Sequence, residues 1–373
     1  MRCLAPLALL LLGCPSAPPA ANPPLVDPPP AALPSDQPGP YAPGATTVEG
    51  VDSRGKWIVS EVWYPATPED GAELSGYAGL NLGHDAYRDA PWDLRGGPYP
   101  VVAFSHGFGG IRYQSSYLTT WLASHGFVVV APDHEHNTLL DLDSTLTTQV
   151  AAERPADVSA AVDRLASTFP DRVDLSDGYA MVGHSFGGWT TLVMGGGQID
   201  REELLEHCAA NDLPGCRFFE GEDVAGLEDL SQAVPDPRVS VAVALAPGLA
   251  YSFGADGAGL GANVPTLVQG GSRDSDMPYD REIRPVFDAL PASARLATLQ
   301  DAAHFGFSDL CTSIPIGGEC AGAEEGYMEI ERVHAVSRTL TTAWLRSLWR
   351  GEESEEAFLT PESVQADGDV SWE

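Results

Sequence analysis

The residues best suited to chemistry in this sequence are a serine, an aspartate and a histidine far apart along the chain. Ser185 lies in the G-x-S-x-G pattern of residues 183–187, between a short apolar run and an apolar helix. This strand, turn and helix are typical of a nucleophile elbow, whose glycines make room for a strained serine backbone. The pattern therefore predicts that Ser185 is a nucleophile.

A serine nucleophile needs a base and an acid, and in chains with this elbow they follow in the order Ser, acid, His. His304 lies in a loop after a strand-like run, whereas His334 lies in a helical run. Asp274 and Asp276 both follow the preceding strand-like run. We expect His304 to be the base and Asp274 the acid, with Asp276 as the alternative.

The same chemistry needs two N–H groups to stabilise a negatively charged oxygen. One is expected from Phe186, the residue after the nucleophile. The glycine-rich segment 105–110 follows an earlier strand-like run, and Phe108 within it is the expected second donor. The sequence thus predicts an acyl-transfer site.

Alternating strand and helix signals must position these residues. Continuous apolar runs alternate with segments of helical periodicity, which favours a doubly wound, mostly parallel sheet covered on both faces. A β-rich pair of runs at its start predicts an antiparallel hairpin. The expected strands are 101–105, 127–131, 179–182, 239–245 and 266–268, the expected helices are 113–124 and 151–169, and the hairpin is 46–64.

The domain prediction is a single α/β domain over 45–350. Segment 195–236 interrupts the alternation and is expected to be either a small cap or lid over the site or a surface excursion without contact to substrate. Residues 14–44 are rich in Pro and Ala and predict an extended tether. The acidic residues 351–373 predict a frayed C-terminal tail.

The N-terminus predicts export. Residues 4–12 form an apolar run that is too short to span a bilayer, and Leu11-Leu12-Gly13-Cys14 matches the bacterial lipobox. We expect a signal peptide over 1–13, lipidation of Cys14 and a cell-envelope protein whose only membrane contact is that anchor. The alternative is an ordinary signal peptide cleaved near residues 17–21.

Cysteine usage agrees with an oxidising compartment. Besides Cys3 and Cys14, the chain has Cys208, Cys216, Cys311 and Cys320, which allow three pairings. The close spacing favours the local pairs, 208 with 216 and 311 with 320. Free buried thiols are the alternative.

The acidic composition limits the classes of partner. The 373 residues contain 53 Asp and Glu against 20 Lys and Arg, a formal net charge of −33. A surface of that sign repels phosphate backbones, so we expect no nucleic-acid partner.

The motifs 104–109, 122–129 and 183–188 closely resemble the platelet-activating-factor acetylhydrolase and dienelactone-hydrolase-like branch of the α/β-hydrolases, and bacterial polyester hydrolases share much of the pattern. The resemblance implies the α/β-hydrolase fold and a serine esterase that cleaves carboxylic esters, with no cofactor and no metal. The substrate remains open between small-molecule esters, lipid esters and polyesters. Two other functions also remain open: acyl transfer from a non-ester substrate, and a catalytically silent binding lipoprotein.

Two features of the sequence depart from that branch. The acetylhydrolase acid belongs to a Leu-Asp-Ala pattern, but this chain has Leu245-Ala246-Pro247 at that place. Segment 274–278 instead looks like the acid loop of polyester and dienelactone hydrolases, one strand later. Dienelactone hydrolases use a cysteine nucleophile, where this chain has Ser185.

Overall fold

The computed structural model describes residues 28–76, 85–219, 227–254, 257–261, 264–313 and 318–373. The predicted signal peptide and Cys14 lie outside the described residues. Within the described ranges, no helix has both the length and the apolar character that a membrane span needs.

A single mixed sheet organises the described chain. The strands are β1 (Ala42–Val51), β2 (Trp57–Ala66), β3 (Tyr87–Arg88), β4 (Tyr99–Ser105), β5 (Val128–Pro132), β6 (Val173–Asp174), β7 (Tyr179–His184), β8 (Val239–Leu245), β9 (Thr266–Gly271), β10 (Arg295–Leu299) and β11 (Val370–Trp372). They lie in the order β11-β10-β9-β8-β7-β4-β5-β2-β1-β3, and β6 pairs with β4.

Helices connect most of these strands. They are α1 (Ser116–Ser124), α2 (Thr147–Thr168), α3 (Phe186–Met194), α4 (Arg201–Ala210), α5 (Ile283–Ala289), α6 (Leu310–Ser313), α7 (Ile330–Trp344) and α8 (Pro361–Val364). Short 3₁₀ segments lie at Ser144–Leu146, Pro214–Phe219, Glu228–Gln232, Ala250–Phe253, His304–Phe307, Gly318–Glu325 and Glu353–Phe358, and a π-helical turn at Leu345–Trp349 follows α7.

The sheet is covered on both faces, as its continuous apolar strands predict. In β4, Val102 and Phe104 pack with α1 and α7 on one face, whereas Val101 and Ala103 pack with α2 on the other. Successive side chains of a strand point to opposite faces, so a strand buried on both faces must be apolar throughout. The predicted doubly wound sheet is confirmed, and β5, β4, β7, β8, β9 and β10 run parallel.

The predicted N-terminal hairpin is also confirmed. Strands β1 and β2 pair antiparallel, and β2 joins them to the sheet by pairing antiparallel with β5. The Asp52 carboxylate closes the turn by accepting the N–H groups of Arg54 and Lys56. These hydrogen bonds hold the turn that fixes the register between β1 and β2.

The C-terminal segment differs from the expected frayed tail. Residues 370–372 form β11, which pairs antiparallel with β10 at the edge of the sheet. Val370 and Trp372 are buried, and Arg332 in α7 binds both Asp367 and Asp369. Several acidic side chains of this segment have basic partners in the fold, so the expectation of a frayed tail from composition was wrong.

The described second half of the predicted tether also packs on the domain. Ser35 is buried and donates a hydrogen bond to Glu355, and Arg346 donates to the Leu33 carbonyl at 2.7 Å. Strand β1 already begins at Ala42. Residues 33–44 are therefore packed on the folded domain, although the prediction placed them in the tether.

Segment 195–236 contains α4 and two 3₁₀ segments between α3 and β8. A disulfide joins Cys208 to Cys216 within it, and a second joins Cys311 to Cys320. Both local pairings predicted from the spacing are therefore present.

Candidate active site

Ser185 lies at the sharp turn between β7 and α3. Its backbone has φ +59° and ψ −119°, a conformation that residues other than glycine rarely adopt. A Cβ on Gly183 would lie 2.1 Å from the Gly187 carbonyl oxygen, and one on Gly187 would lie 1.9 Å from the Ser105 carbonyl oxygen. Only glycine fits at either position, which explains the G-x-S-x-G pattern sterically.

The structure brings Ser185, His304 and Asp274 together. Nε2 of His304 lies 2.8 Å from Oγ of Ser185, and Nδ1 of His304 lies 2.8 Å from Oδ2 of Asp274. All three side chains are buried, and each follows the carboxyl end of a parallel strand. A hydroxyl, an imidazole and a carboxylate thus form one continuous hydrogen-bonded series.

The two alternatives considered from sequence lie elsewhere. The backbone N–H groups of Asp276 and Met277 donate to Oδ1 of Asp274, so residue 276 supports the Asp274 carboxylate through its main chain. Nε2 of His334 donates to the Ser308 carbonyl, and its ring stacks on Tyr117 with ring centroids 3.8 Å apart. Neither side chain is hydrogen-bonded to His304 within the described structure.

The charge state of His304 depends on its carboxylate neighbours. Burial disfavours the imidazolium form, but the Asp274 carboxylate overcomes this and raises the pKa of His304 above its ordinary value. Asp276 and Glu319 add to that effect. The neighbouring carboxylates therefore stabilise the imidazolium form of His304.

The two expected N–H donors lie on neighbouring segments. Phe186 is the first residue of α3, and Phe108 lies in the loop after β4. This loop runs close to the nucleophile, because a Cβ added to Gly107 would lie 3.3 Å from Cβ of Ser185. The carbonyl paired with each donor is itself hydrogen-bonded: Ser185 C=O accepts from Trp189 N–H, and Gly107 C=O accepts from His106 Nδ1 at 2.7 Å. Such bonds polarise a peptide unit and strengthen its N–H as a donor.

Gln114, which no sequence motif indicated, connects the loop after β4 to His184 and, through it, to His304. Its Oε1 accepts the Gly107 N–H at 3.0 Å, and its Nε2 donates to Nδ1 of His184 at 2.9 Å. Nε2 of His184 then donates to the His304 carbonyl at 3.0 Å. Burial lowers the pKa of His184, which keeps the ring neutral with one donor and one acceptor nitrogen.

Glu319 was also missed. Its Oε2 accepts the backbone N–H of Phe305 at 3.0 Å, next to His304. Glu319 precedes Cys320, so the Cys311–Cys320 disulfide ties this carboxylate to the wall of the site. No motif in the sequence distinguishes it from the many other acidic residues, whereas the neighbouring cysteine was a usable signal.

A largely apolar pocket with a cavity volume of about 110 Å³ opens beside Ser185 and His304. Its apolar walls come from the loop after β4, the loop after β5, the His304–Phe307 segment and α6; they include Phe108, Ile111, Leu139, Phe305 and Leu310. Within the described ranges, no group of three or more His, Cys, Asp or Glu side chains is arranged to hold a metal ion.

Exposed leucines lie in the loop after β5, where Leu139 lines the pocket, and the insertion contacts the loop after β4. Leu139, Leu140 and Leu142 are exposed, with Leu140 at 82%. Phe218, from the 195–236 insertion, stacks on Phe108 with ring centroids 4.4 Å apart. The insertion therefore contacts the loop that carries an expected donor.

This chain is similar in sequence to known esterases and to an acetylhydrolase family. Residues 74–163 match the family model described as platelet-activating factor acetylhydrolase, isoform II. Cutinase 1 of Thermobifida cellulosilytica is 28% identical over 209 residues, 56% of this chain and 61% of that protein. Cutinase est2 of Thermobifida alba is 36% identical over 98 residues, 25% of this chain and 29% of that protein.

Among solved structures, a ferulic acid esterase from Streptomyces cinnamoneus shares the fold. Its TM-score is 0.58 at 21% identity, over 84% of this chain and 91% of that chain. The matches to the Thermobifida cutinases span between about a third and three fifths of those proteins. The resemblance predicted from the motifs is therefore confirmed: this chain has the α/β-hydrolase fold and is similar to serine esterases of that fold.

Proposed function

We propose that this protein is a serine hydrolase that cleaves carboxylic esters, with Ser185 as nucleophile, His304 as base and Asp274 as acid. The observation that carries the proposal is the unbroken series of two 2.8 Å hydrogen bonds from the Ser185 hydroxyl through His304 to Asp274. The sequence similarity to cutinases and the acetylhydrolase family supports ester hydrolysis as the reaction.

The geometry leads to a two-step acyl transfer. Nε2 of His304 takes the Ser185 proton while Oγ bonds to the ester carbonyl carbon, and the resulting oxyanion accepts N–H bonds from Phe108 and Phe186. The C–O bond to the alcohol then breaks as His304 returns its proton to the leaving oxygen. Water repeats the sequence on the acyl-enzyme and releases the acid and free Ser185.

Substitution of the nucleophile tests this function. We expect Ser185→Ala to abolish hydrolysis of p-nitrophenyl butyrate and labelling by a fluorophosphonate, because both reactions need the Ser185 oxygen. Ser167→Ala, an exposed serine in α2, is the matched control and should keep both. Unchanged turnover by Ser185→Ala would exclude the proposed mechanism and indicate another nucleophile, whereas a wild type with neither turnover nor labelling would indicate a silent binding protein.

A second candidate, lipid or polyester hydrolysis, is favoured by exposed leucines beside the pocket. The exposed Leu139 lines the pocket, and Leu142, also exposed, lies beside the lining residue Gly109, so an extended apolar substrate would cover both. Leu139→Ser with Leu142→Ser should then lower kcat/KM for p-nitrophenyl palmitate but not for the acetate. Leu348→Ser, an exposed leucine outside the pocket lining, is the control, and equal losses on both esters would argue against this candidate.

We also propose that the 195–236 insertion covers the site as a cap. The stacking of Phe218 on Phe108 supports this cap.

We propose further that the protein is an exported, lipid-anchored enzyme of the bacterial cell envelope. The two disulfides support an oxidising compartment. Radiolabelled palmitate should enter the wild type and the Cys3→Ser variant but not Cys14→Ser. An unlabelled wild type would leave an ordinary cleaved signal peptide instead.

A further inference from the structure

A buried arginine lies behind the candidate oxyanion donors. Arg154 is on the buried face of α2, one turn from Val150 and from Val158, and its side chain is fully buried. Burial of a charge costs several kcal/mol unless a partner compensates it. The same burial lowers the pKa of Arg154, to about 9.

All the acceptors that Arg154 has among the described residues are neutral. Its Nε donates to Thr190 Oγ1 at 3.0 Å, its Nη1 to Asn137 Oδ1 at 2.9 Å, and its Nη2 to Ser105 Oγ at 2.9 Å and to the His106 carbonyl. No carboxylate within the described ranges forms an ion pair with it. The guanidinium is thus satisfied as a donor but keeps its positive charge.

The nearby carboxylate of Asp157 is already paired with other cations. Arg54 and Lys56 bind it at 2.6 and 3.1 Å. Asp157 forms no hydrogen bond with Arg154 among the described contacts; its charge partly opposes the effect of burial on the pKa of Arg154, and hydrogen bonds link the two through His134 and Ser105, with His134 Nδ1 3.1 Å from Asp157 and His134 Nε2 2.9 Å from Ser105 Oγ. Burial lowers the pKa of His134, so this link is neutral.

The position of the charge connects it to the reaction. The guanidinium carbon lies 4.6 Å from the ring centroid of Phe186, and Nη2 holds the carbonyl of His106, two residues before Phe108. Both expected N–H donors thus belong to segments that Arg154 contacts. A fixed positive charge behind such donors, in a site with little water, lowers the energy of a negative charge that develops in front of them.

We propose that Arg154 is a positioning residue of the oxyanion site, and that its unpaired charge stabilises the tetrahedral oxyanion through the His106–Phe108 segment and the Phe186 end of α3. This inference rests on the proposed ester hydrolysis. It adds a positive group that the serine, histidine, aspartate and backbone donors do not include.

The decisive variant is Asn137→Asp, which places a carboxylate on Nη1 of Arg154 and cancels the charge without removing the guanidinium. We expect kcat for p-nitrophenyl butyrate and the affinity for phenylboronic acid, which forms a tetrahedral anion on serine, each to fall by about tenfold or more. KM should change by no more than about twofold, and the melting temperature should not fall, because a buried charge gains a partner.

Asn137→Leu is the matched control, since it removes the same acceptor without adding charge, and it should lose much less activity than Asn137→Asp. Arg154→Lys should retain more activity than the neutral Arg154→Met. A folded Asn137→Asp protein with wild-type kcat and boronate affinity would overturn the inference, even if Arg154→Met fails to fold. If Ser185→Ala still hydrolyses esters, the proposed function fails first, and this outcome is distinct from the other.

Discussion

Glu319 accepts the backbone N–H of Phe305 at 3.0 Å, so a carboxylate is fixed beside the segment that carries His304. Burial raises the pKa of the Glu319 carboxyl, and the neighbouring His304 charge partly opposes that effect. In its ionised form Glu319 favours the imidazolium form of His304. This relationship joins the geometry of the base loop to the pH dependence of the reaction.

Glu319→Gln should move the acidic limb of the pH–rate profile to lower pH. His304 accepts a proton only when neutral, so activity rises as pH passes its pKa, and Glu319 raises that pKa. The amide keeps the size of the side chain and removes its charge. The measurement is kcat/KM against pH, with Glu324→Gln as the control for net charge. An unmoved limb, or a shift to higher pH, would contradict the assignment.

Asp274→Asn should reduce kcat by about 10⁴, because the amide cannot stabilise the imidazolium or hold the required tautomer. Asp276→Asn should change kcat by only a small factor, since residue 276 supports Asp274 through its backbone N–H. Both variants are nearly isosteric with the wild type, so the comparison isolates charge. A larger loss from Asp276→Asn, measured as kcat on p-nitrophenyl butyrate, would transfer the role of acid to it.

Gln114→Met should lower kcat by about tenfold with little change in KM. The variant loses the acceptor for Gly107 N–H and the donor to His184, and each such bond contributes about 1 kcal/mol. Gln114→Glu separates the two contacts, because its carboxylate still accepts from Gly107 but cannot donate to a neutral His184. Equal kcat for wild type and Gln114→Met would show that the loop and the base are held independently of this residue.

Replacement of Cys311 and Cys320 by serine should lower the melting temperature and move the acidic limb of the kcat/KM–pH profile to lower pH. A bridge across nine positions contributes about 3 kcal/mol in the chain-entropy description. Its loss also frees Glu319, so the profile should move in the same direction as in Glu319→Gln. Replacing Cys208 and Cys216 is the matched control, which should lower the melting temperature without moving the limb.

Much of the site could be predicted because its signals are local. The glycines around Ser185 are required by steric contacts within a few residues, and continuous apolar runs determine that the strands are buried on both faces. Parallel strands deliver their following loops to one edge of a sheet, so the convergence of Ser185, Asp274 and His304 follows from strand order alone.

The amino-acid sequence by itself thus determined the elbow, the sheet class, the local disulfide pairs and the loops that meet. Only the tertiary structure decided which of Asp274 and Asp276 faces the imidazole, that β11 closes the sheet edge, and that Gln114, Glu319 and Arg154 surround the site. The physical reason is the distance along the chain over which each interaction acts. Turn and strand patterns express interactions between near neighbours, whereas these contacts join segments brought together by sheet order and helix packing.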